Sequence, residues 1–471
     1  MKNVIGREPE KKILLKALSS NRAELIVVYG RRRIGKTFLV RSVYRNHIRF
    51  EFSGIHNLGL NDQLTNFYLL LSKKLRNIEK PKSWIEAFFL LGQYFARLTS
   101  KKKKVLFIDE FPWLDTRKSK FLPAFENFWN SYVTKRDDMV VVICGSAASY
   151  MVKNIISSKG GLHNRLTQKI RLQPFSLRET ELLLKSNQVI LTRYDIAQIY
   201  MALGGVPFYL EKIEKGDSVA QAIDRLCFSK HGVLRTEFDS VFVSLFDQHD
   251  NHYTIVRMLA KVRKGLTRNE ILKESKVKSG GTLSKTLFEL EESGFIEKYL
   301  PYQGKKDSLY RLTDEYSLFY LKFIEKSKTA DSGSWMTIYG KQTYKAWSGF
   351  TFESTCIKHI KQIKYALKIS GINSYHGSWV GKGTKTGAQI DLLIDRDDNV
   401  INLCEMKFVN SKFTIDKKYA LELANKSNTF QLATKTRKNI FTTFITSYGL
   451  VDNKYRKQFV QNELVLDDLF M

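Results

Sequence analysis

The chain has 471 residues, of which 43% are hydrophobic and 13% aromatic, so it can form about two to four packed domains and is not a disordered protein. The net charge of +30 favours polyanions and makes nucleic acid the expected partner, although a lysine-rich surface can also serve solubility alone. Four widely spaced cysteines exclude a disulfide scaffold or a zinc finger, and no signal peptide or membrane-spanning run is evident. We therefore expect a cytoplasmic protein without a membrane partner.

The N-terminal third is patterned as buried strands separated by helical segments. LIVVYG (residues 25–30) predicts a strand that runs into a glycine loop, and a helix follows from Thr37. KVLFIDEF (104–111) and MVVVICGSAAS (139–149) predict a second and a third strand. Strands that are apolar on both faces favour a parallel sheet covered by helices.

The middle of the chain has helical periodicity. Residues 178–227 predict a small helical subdomain, interrupted by LGGVPFYL (203–210). Residues 252–302 contain three helical segments, and the pieces GFIEKYL (294–300) and SLYRLT (308–313) resemble strands. Three helices followed by a β-wing predict a winged helix, which is a helix-turn-helix variant.

The C-terminal part predicts a separate α/β domain. SKTADSGSW (327–335) is typical of a linker, and a helix that carries Glu353 follows it. AQIDLLID (388–395) and VINLCEMKF (400–408) then predict two strands. The fold class is therefore α/β: a parallel-sheet P-loop NTPase, a helical subdomain, a winged helix and a smaller α/β domain. The predicted domains span residues 1–175, 176–245, 246–326 and 327–471.

GRRRIGKT (30–37) matches the phosphate-binding pattern G-x-x-x-x-G-K-[ST] in full. In this pattern backbone N–H groups and the start of the helix cradle phosphates, Lys36 neutralises the β and γ phosphates, and the Thr37 hydroxyl ligates Mg²⁺. ATP and Mg²⁺ are the expected cofactors. The predicted nucleotide contacts are Gly30, Arg31, Arg32, Arg33, Ile34, Gly35, Lys36, Thr37 and Phe38.

An acidic pair follows the second predicted strand directly. The apolar run VLFI leads into Asp109 and Glu110. Asp109 is expected to hold Mg²⁺ and Glu110 to polarise the water that attacks the nucleotide. The alternative is that the pair only caps a turn.

These motifs resemble the AAA+ and STAND-like ATPases, and more closely the prokaryotic archaeal-type ATPase family. The matching segments are IGRE (5–8), GRRRIGKT (30–37) and IDEFPWL (108–114). The resemblance implies a nuclease-like C-terminal region and makes Ser146 a polar sensor of the γ-phosphate. It also implies that Arg165 is a catalytic finger acting between protomers of a homo-oligomer, unless Arg165 only binds a helix end, and that GGVPF (204–208) precedes a second sensor.

Basic residues accompany the predicted winged helix. They are Arg268, Lys276, Lys278, Lys285 and the segment YQGKKD (302–307). A recognition helix and a wing with such charges would contact the phosphates of duplex DNA. The alternative is a winged helix that packs against the nucleotide domain and reads no sequence.

The C-terminal strands carry the residues of a second predicted site. Asp391 lies in IDLLID, and Glu405 and Lys407 lie in CEMK, which is similar to the D…(D/E)-x-K pattern of restriction-endonuclease-like folds. Strand side chains two residues apart share a face, so Glu405 and Lys407 should converge with Asp391. Asp391 and Glu405 are expected to bind Mg²⁺, Lys407 to act on water or phosphate, and Glu353 to be an outer carboxylate.

Together these features predict an ATPase coupled to a metal-dependent DNA endonuclease, and by family analogy a role in genome defence or mobile-DNA maintenance. One alternative is a signalling or scaffold ATPase whose nucleotide state controls assembly, with a C-terminal domain that only binds nucleic acid or protein. A transcription factor without nucleotide turnover is another.

Overall fold

The computed structural model describes residues 4–100, 102–157, 160–162, 164–246, 249–277, 280–303, 307–327, 333–381 and 388–471. Several sequence features fall outside these ranges. They are His163, Lys278, the centre of YQGKKD (304–306), residues 328–332 of the expected linker, and residues 382–387 of the glycine-rich segment GKGTKTG (381–387) that precedes AQIDLLID.

The chain divides into two compact units, Met1–Pro174 and Phe175–Met471. The finer division of the second unit into a helical subdomain, a winged helix and a nuclease-like domain stays a prediction.

The first unit is built on a five-stranded sheet in the order β2-β3-β4-β1-β5, and all its strand pairs are parallel. Its strands are β1 (Glu24–Tyr29), β2 (Ile48–Ser53), β3 (Lys104–Asp109), β4 (Met139–Gly145) and β5 (Gln168–Arg171). Its helices are α1 (Glu8–Leu18), α2 (Lys36–Val43), α3 (Leu60–Ser72), α4 (Trp84–Ala96), α5 (Phe121–Ser131) and α6 (Ala148–Tyr150), which a π-helical turn (Met151–Ile156) extends. Short 3₁₀ turns lie at Phe111–Leu114 and Val133–Lys135.

Both faces of this sheet are buried, as the sequence predicts. Alternate residues of β1 pack into two different cores: Leu25 and Val27 join the core on one face, and Ile26 and Val28 the core on the other. The first core includes the aromatic residues of α5, whose helical spacing in the sequence indicates a core-facing helix. The α/β fold with a parallel sheet is therefore confirmed, and its strands can present their carboxyl ends at one edge.

The second unit begins with helices and a small antiparallel sheet in the order β6-β8-β7. The helices are α7 (Leu177–Ser186), α8 (Arg193–Leu203), α9 (Pro207–Leu210), α10 (Val219–Ile223), α11 (Glu237–Leu245), α12 (Asp250–Leu259), α13 (Arg268–Ser275), α14 (Gly280–Glu292) and α15 (Glu315–Phe319). The strands are β6 (Leu266–Thr267), β7 (Ile296–Tyr299) and β8 (Leu309–Leu312), and π-helical turns lie at Asp224–Phe228 and Tyr320–Ile324.

A second five-stranded sheet lies in the C-terminal part, in the order β13-β12-β11-β10-β9. Its first three strands in sequence pair antiparallel, and β11, β12 and β13 pair parallel. The strands are β9 (Ser374–Val380), β10 (Gln389–Arg396), β11 (Val400–Lys407), β12 (Asn439–Thr446) and β13 (Asn462–Val465). The helices are α16 (Gln342–Lys358), α17 (Ile360–Ala366), α18 (Lys417–Thr434) and α19 (Lys454–Phe459), with a 3₁₀ turn at Leu466–Phe470.

The expected linker is wrong at its C-terminal end. Trp335 is completely buried, and its ring lies 5.3 Å from that of Phe228 and 5.1 Å from that of Phe319. The Asp224 carboxylate accepts hydrogen bonds from the backbone N–H groups of Gly333 and Trp335, at 2.7 and 2.9 Å. The serine and glycine residues of this segment are typical of a linker, so nothing in the sequence pattern indicates that Trp335 is buried. The large apolar surface of the tryptophan ring favours burial even beside polar residues.

Two further features bear on function. No helix within the described ranges has the length and apolar character needed to cross a bilayer. His359 is buried: its Nε2 accepts a hydrogen bond from the backbone N–H of Leu177, and its Nδ1 donates to the backbone oxygen of Thr355. Burial lowers the pKa of His359 to about 4, so the ring is neutral and serves packing.

Replacing Trp335 with alanine should lower the free energy of unfolding by about 3–5 kcal/mol, because the cavity left among aromatic rings cannot collapse fully. Urea denaturation followed by far-UV circular dichroism measures the change. The neighbouring Met336, whose side chain is 44% exposed, is the control: Met336→Ala should change stability by less than about 0.5 kcal/mol. If the two substitutions lower the free energy of unfolding equally, Trp335 does not anchor this segment.

Candidate functional site

The phosphate-binding loop lies between β1 and α2, as the motif requires. Gly30 follows the last residue of β1, and α2 starts at Lys36 with Gly35 as its N-cap. Gly35 provides no side chain to cap the first N–H groups of α2. These N–H groups and the positive end of the helix dipole therefore face the loop, which is the arrangement that binds phosphate.

Two glycines of the loop are required by its backbone. Gly30 has φ 140° and Gly35 has φ 85°, both in the region that disfavours side chains. A Cβ atom at Gly30 would also lie 2.4 Å from the backbone oxygen of Leu172, which follows β5. The first glycine thus lets the loop pass close to the neighbouring strand, and the last one allows the turn into α2.

Lys36 is buried within the loop. Its Nζ donates hydrogen bonds to the backbone oxygens of Gly30 at 3.0 Å and of Arg31 at 2.8 Å. These two carbonyl oxygens hold the Lys36 ammonium group inside the loop. A bound phosphate can replace them as the hydrogen-bond acceptor of this group. A phosphate carries more negative charge than a carbonyl, so such an exchange is favourable.

The strand ends bring the other predicted nucleotide residues together. The Thr37 hydroxyl donates to Asp109 Oδ2 at 2.8 Å, which joins α2 to the end of β3. Glu110 Oε2 accepts from the Ser146 hydroxyl at 2.7 Å and from its backbone N–H at 3.2 Å. The predicted Mg²⁺ ligands Thr37 and Asp109 therefore touch, and the predicted water-polarising carboxylate contacts the predicted sensor.

The remaining loop residues differ in exposure. Arg31 is buried, Arg32 and Arg33 are half-buried, and the Phe38 side chain is 43% exposed. Arg165 is exposed, and among the described residues no hydrogen bond or ion pair joins its side chain to the nucleotide site. An exposed arginine is what a finger acting on a neighbouring protomer would require, and its role stays a prediction.

Sequence reasoning missed the residues that hold the acidic pair in place. Glu110 adopts the left-handed conformation, with φ 43°. Gly54 donates its backbone N–H to Asp109, and a Cβ at Gly54 would lie 2.5 Å from the Glu110 oxygen. The buried Gln63 amide bonds to the backbone oxygens of Ile55 and Trp113 at 2.7 and 3.1 Å. Neither a lone glycine nor a helical glutamine carries a recognisable motif.

The C-terminal candidates converge on two antiparallel strands. The ladder of β10 and β11 ends at the pair Leu392–Cys404, and Asp391 and Glu405 are the next residues on the two strands. Lys407 lies two residues beyond Glu405 on β11, and its Nζ is 3.9 Å from Glu405 Oε2. The Gln389 amide donates to Asp391 Oδ1 at 2.6 Å, a contact that the sequence pattern did not indicate.

Glu405 has two further partners that sequence reasoning missed. The Tyr419 hydroxyl donates to Glu405 Oε2 at 2.6 Å, and the Lys426 ammonium donates to Oε1 at 2.5 Å. Both partners come from α18, and Lys407 lies 4.9 Å from the centre of the Tyr419 ring. Burial and the Glu405 charge raise the pKa of the Tyr419 hydroxyl, so it remains a hydrogen-bond donor.

Glu353 on α16 belongs to the same cluster. Burial, followed by the negative charge of Asp391, raises the pKa of the Glu353 carboxyl to about 8. The cations Lys407 and Arg263 oppose this shift. Glu353 therefore carries its proton at neutral pH in this arrangement. The role of Glu353 as an outer carboxylate stays a prediction.

The oxygen donors of both sites suit Mg²⁺, which prefers hard carboxylate and hydroxyl ligands. At the first site these are Thr37 and Asp109, and at the second Asp391 and Glu405. Within the described residues, no group of three or more His, Cys, Asp or Glu side chains is arranged to hold a metal ion. Mg²⁺ sites in proteins commonly include substrate phosphates and water beside one or two carboxylates.

The residues of the predicted recognition helix have structural partners. Arg268 Nη2 donates to the Gly280 oxygen at 2.8 Å and to the Ser284 hydroxyl at 3.2 Å, so it ties α13 to the start of α14. Lys285 Nζ lies 3.9 Å from Glu289 on the same helix, and Lys276 ends α13 in the left-handed conformation. Arg268 is therefore a packing residue as well as a candidate phosphate contact.

The parallel sheet, the loop and the Thr37–Asp109 pair define a P-loop ATPase domain. Residues 5–213 match the family described as an ATPase domain predominantly from Archaea. This part of the chain is therefore similar to ATPase domains of that archaeal type, which supports ATP as its nucleotide.

Other comparisons extend beyond this domain. The chain is 27% identical over 433 residues to the uncharacterized protein MJECL04 of Methanocaldococcus jannaschii, covering 90% of this chain and 91% of the relative. It is also similar to the Walker-type ATPase PABY2304 of Pyrococcus abyssi, at 16% identity and TM-score 0.47, over 68% of this chain and 96% of the other. The chain is similar to the Aeropyrum pernix ORC2 protein at 12% identity and a TM-score of 0.42, over 69% of this chain and 94% of the other.

Substitution of Glu110 by glutamine should lower kcat for ATP hydrolysis by about 100-fold or more, because the amide cannot polarise water, while ATP binding is retained. Lys36→Ala should instead weaken ATP binding by about tenfold or more, because a charged partner of the phosphates is lost. Phosphate release and fluorescent-nucleotide titration separate the two effects.

The matched control is Glu79→Gln, which changes an exposed glutamate outside the site and should leave both quantities unchanged. Full turnover in Glu110→Gln would contradict the assignment of the attacking-water residue.

Proposed function

We propose that the chain is an ATP-regulated, metal-dependent nuclease, in which residues 246–326 form a winged helix and the C-terminal sheet a restriction-endonuclease-like domain. The observation that carries the proposal is the ladder of β10 and β11, which ends at Leu392–Cys404, so that Asp391 and Glu405 come next on the two strands. Both carboxylates act on the pKa of Glu353, which supports a shared site. Lys407 shares their cluster, and Glu353 contributes from α16. A net charge of +30 supports a polyanionic substrate.

Each residue of this cluster has a chemical task in phosphodiester cleavage. Asp391 and Glu405 would hold Mg²⁺, which supplies activation of water and neutralisation of charge on the phosphate. Lys407 lies beside Glu405, so its ammonium can orient the water or shield the phosphate as negative charge develops. Glu353, whose carboxyl is influenced by the charges of Asp391 and Lys407, would serve as the outer carboxylate of this cluster.

The ATPase domain supports regulation of this reaction. Ser146 holds Glu110 by two hydrogen bonds, so a γ-phosphate that draws Ser146 towards itself would release the carboxylate. Arg165 would reach this phosphate from a neighbouring protomer of a homo-oligomer, as the resemblance to archaeal-type ATPases implies. By the same resemblance, the setting would be genome defence or maintenance of mobile DNA.

A second function is favoured by the contacts of Glu405. Tyr419 and Lys426 occupy both of its oxygens, and a lysine ammonium can neutralise a carboxylate in place of a metal ion. In that case the C-terminal domain binds nucleic acid or protein without cleaving it, and the ATPase is a nucleotide-controlled switch. The two functions differ in whether a divalent ion can displace Lys426.

Strand cleavage distinguishes the two functions. Supercoiled plasmid and circular single-stranded DNA are incubated with the protein and Mg²⁺ or Mn²⁺, with and without ATP. The nuclease predicts nicked or linear products that fall by about 100-fold or more in Asp391→Ala and in Lys407→Ala, because each removes charge at the reacting phosphate.

The control variant is Asp398→Ala, which removes an exposed carboxylate at the opposite end of the β10–β11 hairpin and should leave cleavage intact. Wild-type protein that leaves both substrates and an RNA of the same length intact under all these conditions would contradict the nuclease and support the switch.

A further inference from the structure

A groove lined by positive charge lies between the end of α12, the turn Tyr320–Ile324 and α16. Its volume is about 670 Å³. One carboxylate, Glu325, lines it among the described residues and pairs with Arg257 at 2.5 Å. The cations that line this groove are Arg257, Lys261, Arg263, Lys322 and Lys326.

Helix stabilisation does not account for all of these charges. Arg257 and Lys261 lie at the C-terminal end of α12, where a cation interacts favourably with the helix dipole. Lys322 lies in the turn Tyr320–Ile324 and Lys326 follows this turn, and both line the same groove. Two elements that present cations to one concave surface indicate a polyanionic ligand.

The groove adjoins a second cavity of about 610 Å³, and Arg263 and Phe350 line both. The Arg263 guanidinium lies 4.6 Å from the centre of the Phe350 ring. A guanidinium that stacks on an aromatic ring offers a flat face to a nucleobase and donors to a phosphate. This pair therefore marks the junction of the two cavities.

The second cavity combines aromatic rings with the proposed cleavage residues. Tyr299, Tyr302 and Trp379 contribute to its walls, together with Glu353 and Asp391. Two hydrogen bonds fix the wall that Tyr302 forms. Its backbone N–H donates to the Ser378 oxygen at 2.8 Å, and its hydroxyl donates to Asp395 at 2.9 Å. The segment after β7 is thus fastened to the C-terminal sheet.

The dimensions favour a single strand. Each cavity lies in the range of about 300–1,000 Å³ that is typical of small-molecule sites, so it can accept unstacked nucleotides but not the body of a duplex. Cations that follow a backbone, combined with aromatic rings that stack on bases, are the usual means of binding single-stranded nucleic acid.

We propose that the groove and the second cavity form one channel for single-stranded nucleic acid. The backbone lies on Lys322 and Lys326, a base stacks at the Arg263–Phe350 junction, and the following phosphodiester reaches Asp391. The last step rests on the proposed nuclease function, whereas binding in the channel does not. DNA and RNA share the chemistry that the channel recognises.

Binding is measured by fluorescence anisotropy with the full chain in EDTA, so that no cleavage takes place. The probes are labelled oligodeoxythymidylate, oligouridylate and a blunt duplex of equal length. The single strands should bind about tenfold more tightly than the duplex, because only they can place bases against the aromatic rings. Equal affinities of all three probes would overturn the channel.

Charge reversal of Lys322 and Lys326 together should weaken single-strand binding by about tenfold and reduce the slope of log affinity against log salt by about 1.4, since each phosphate contact contributes about 0.7. The control is Lys215→Glu with Lys230→Glu, which makes the same charge change at exposed positions away from the groove. Circular dichroism confirms that both double variants fold. If both then lose the same affinity for single strands, binding depends on the overall charge of the protein and the groove is not the binding site.

Phe350→Leu tests stacking separately from charge. It keeps an apolar side chain but removes the ring, so affinity should fall by about fivefold to tenfold with the salt slope unchanged. Unchanged affinity in Phe350→Leu would contradict the proposal that a base stacks at Phe350. Channel binding without any strand cleavage would refute only the nuclease, and cleavage with normal binding by every channel variant would refute only the channel.

Discussion

The hydrogen bond between Thr37 and Asp109 is the contact on which the nucleotide site depends. It joins the first turn of α2 to the carboxyl end of β3. The parallel sheet makes it available, because β1 and β3 both flank β4 and all three strands end at the same edge. Since both faces of these strands are buried, the edge cannot shift without disturbing two cores, and Thr37 and Asp109 remain in position.

The C-terminal cluster follows a different principle. Its carboxylates Asp391 and Glu405 lie on adjacent antiparallel strands, one residue beyond the last pair of their ladder, Leu392–Cys404. Cations close to them reduce the electrostatic cost of the shared site, and Lys426 contacts Glu405 directly. The raised pKa of Glu353 is the consequence of placing a third carboxyl beside two others in a buried position. Such perturbation is characteristic of functional sites, although ion-pair networks also produce it.

The sequence was most informative where one motif carries both structure and chemistry. The loop around Lys36 could be predicted because each of its residues has a defined task in phosphate binding. Gln63 and Tyr419 could not be predicted, because their contacts join segments that are distant in sequence and no spacing rule connects them. The burial of Trp335 was missed for the same reason: its partners come from distant segments. Long-range packing, not local propensity, decided these positions.

The most direct test is anomalous diffraction from crystals grown with Mn²⁺ and a non-hydrolysable ATP analogue. We expect one manganese peak between the Thr37 hydroxyl and Asp109, with the Lys36 ammonium moved from the loop carbonyls to the phosphates, and a second peak at Asp391 and Glu405. A map without the first peak would contradict the nucleotide site. A map with the first peak alone, and Lys426 still bound to Glu405, would contradict the metal-dependent nuclease.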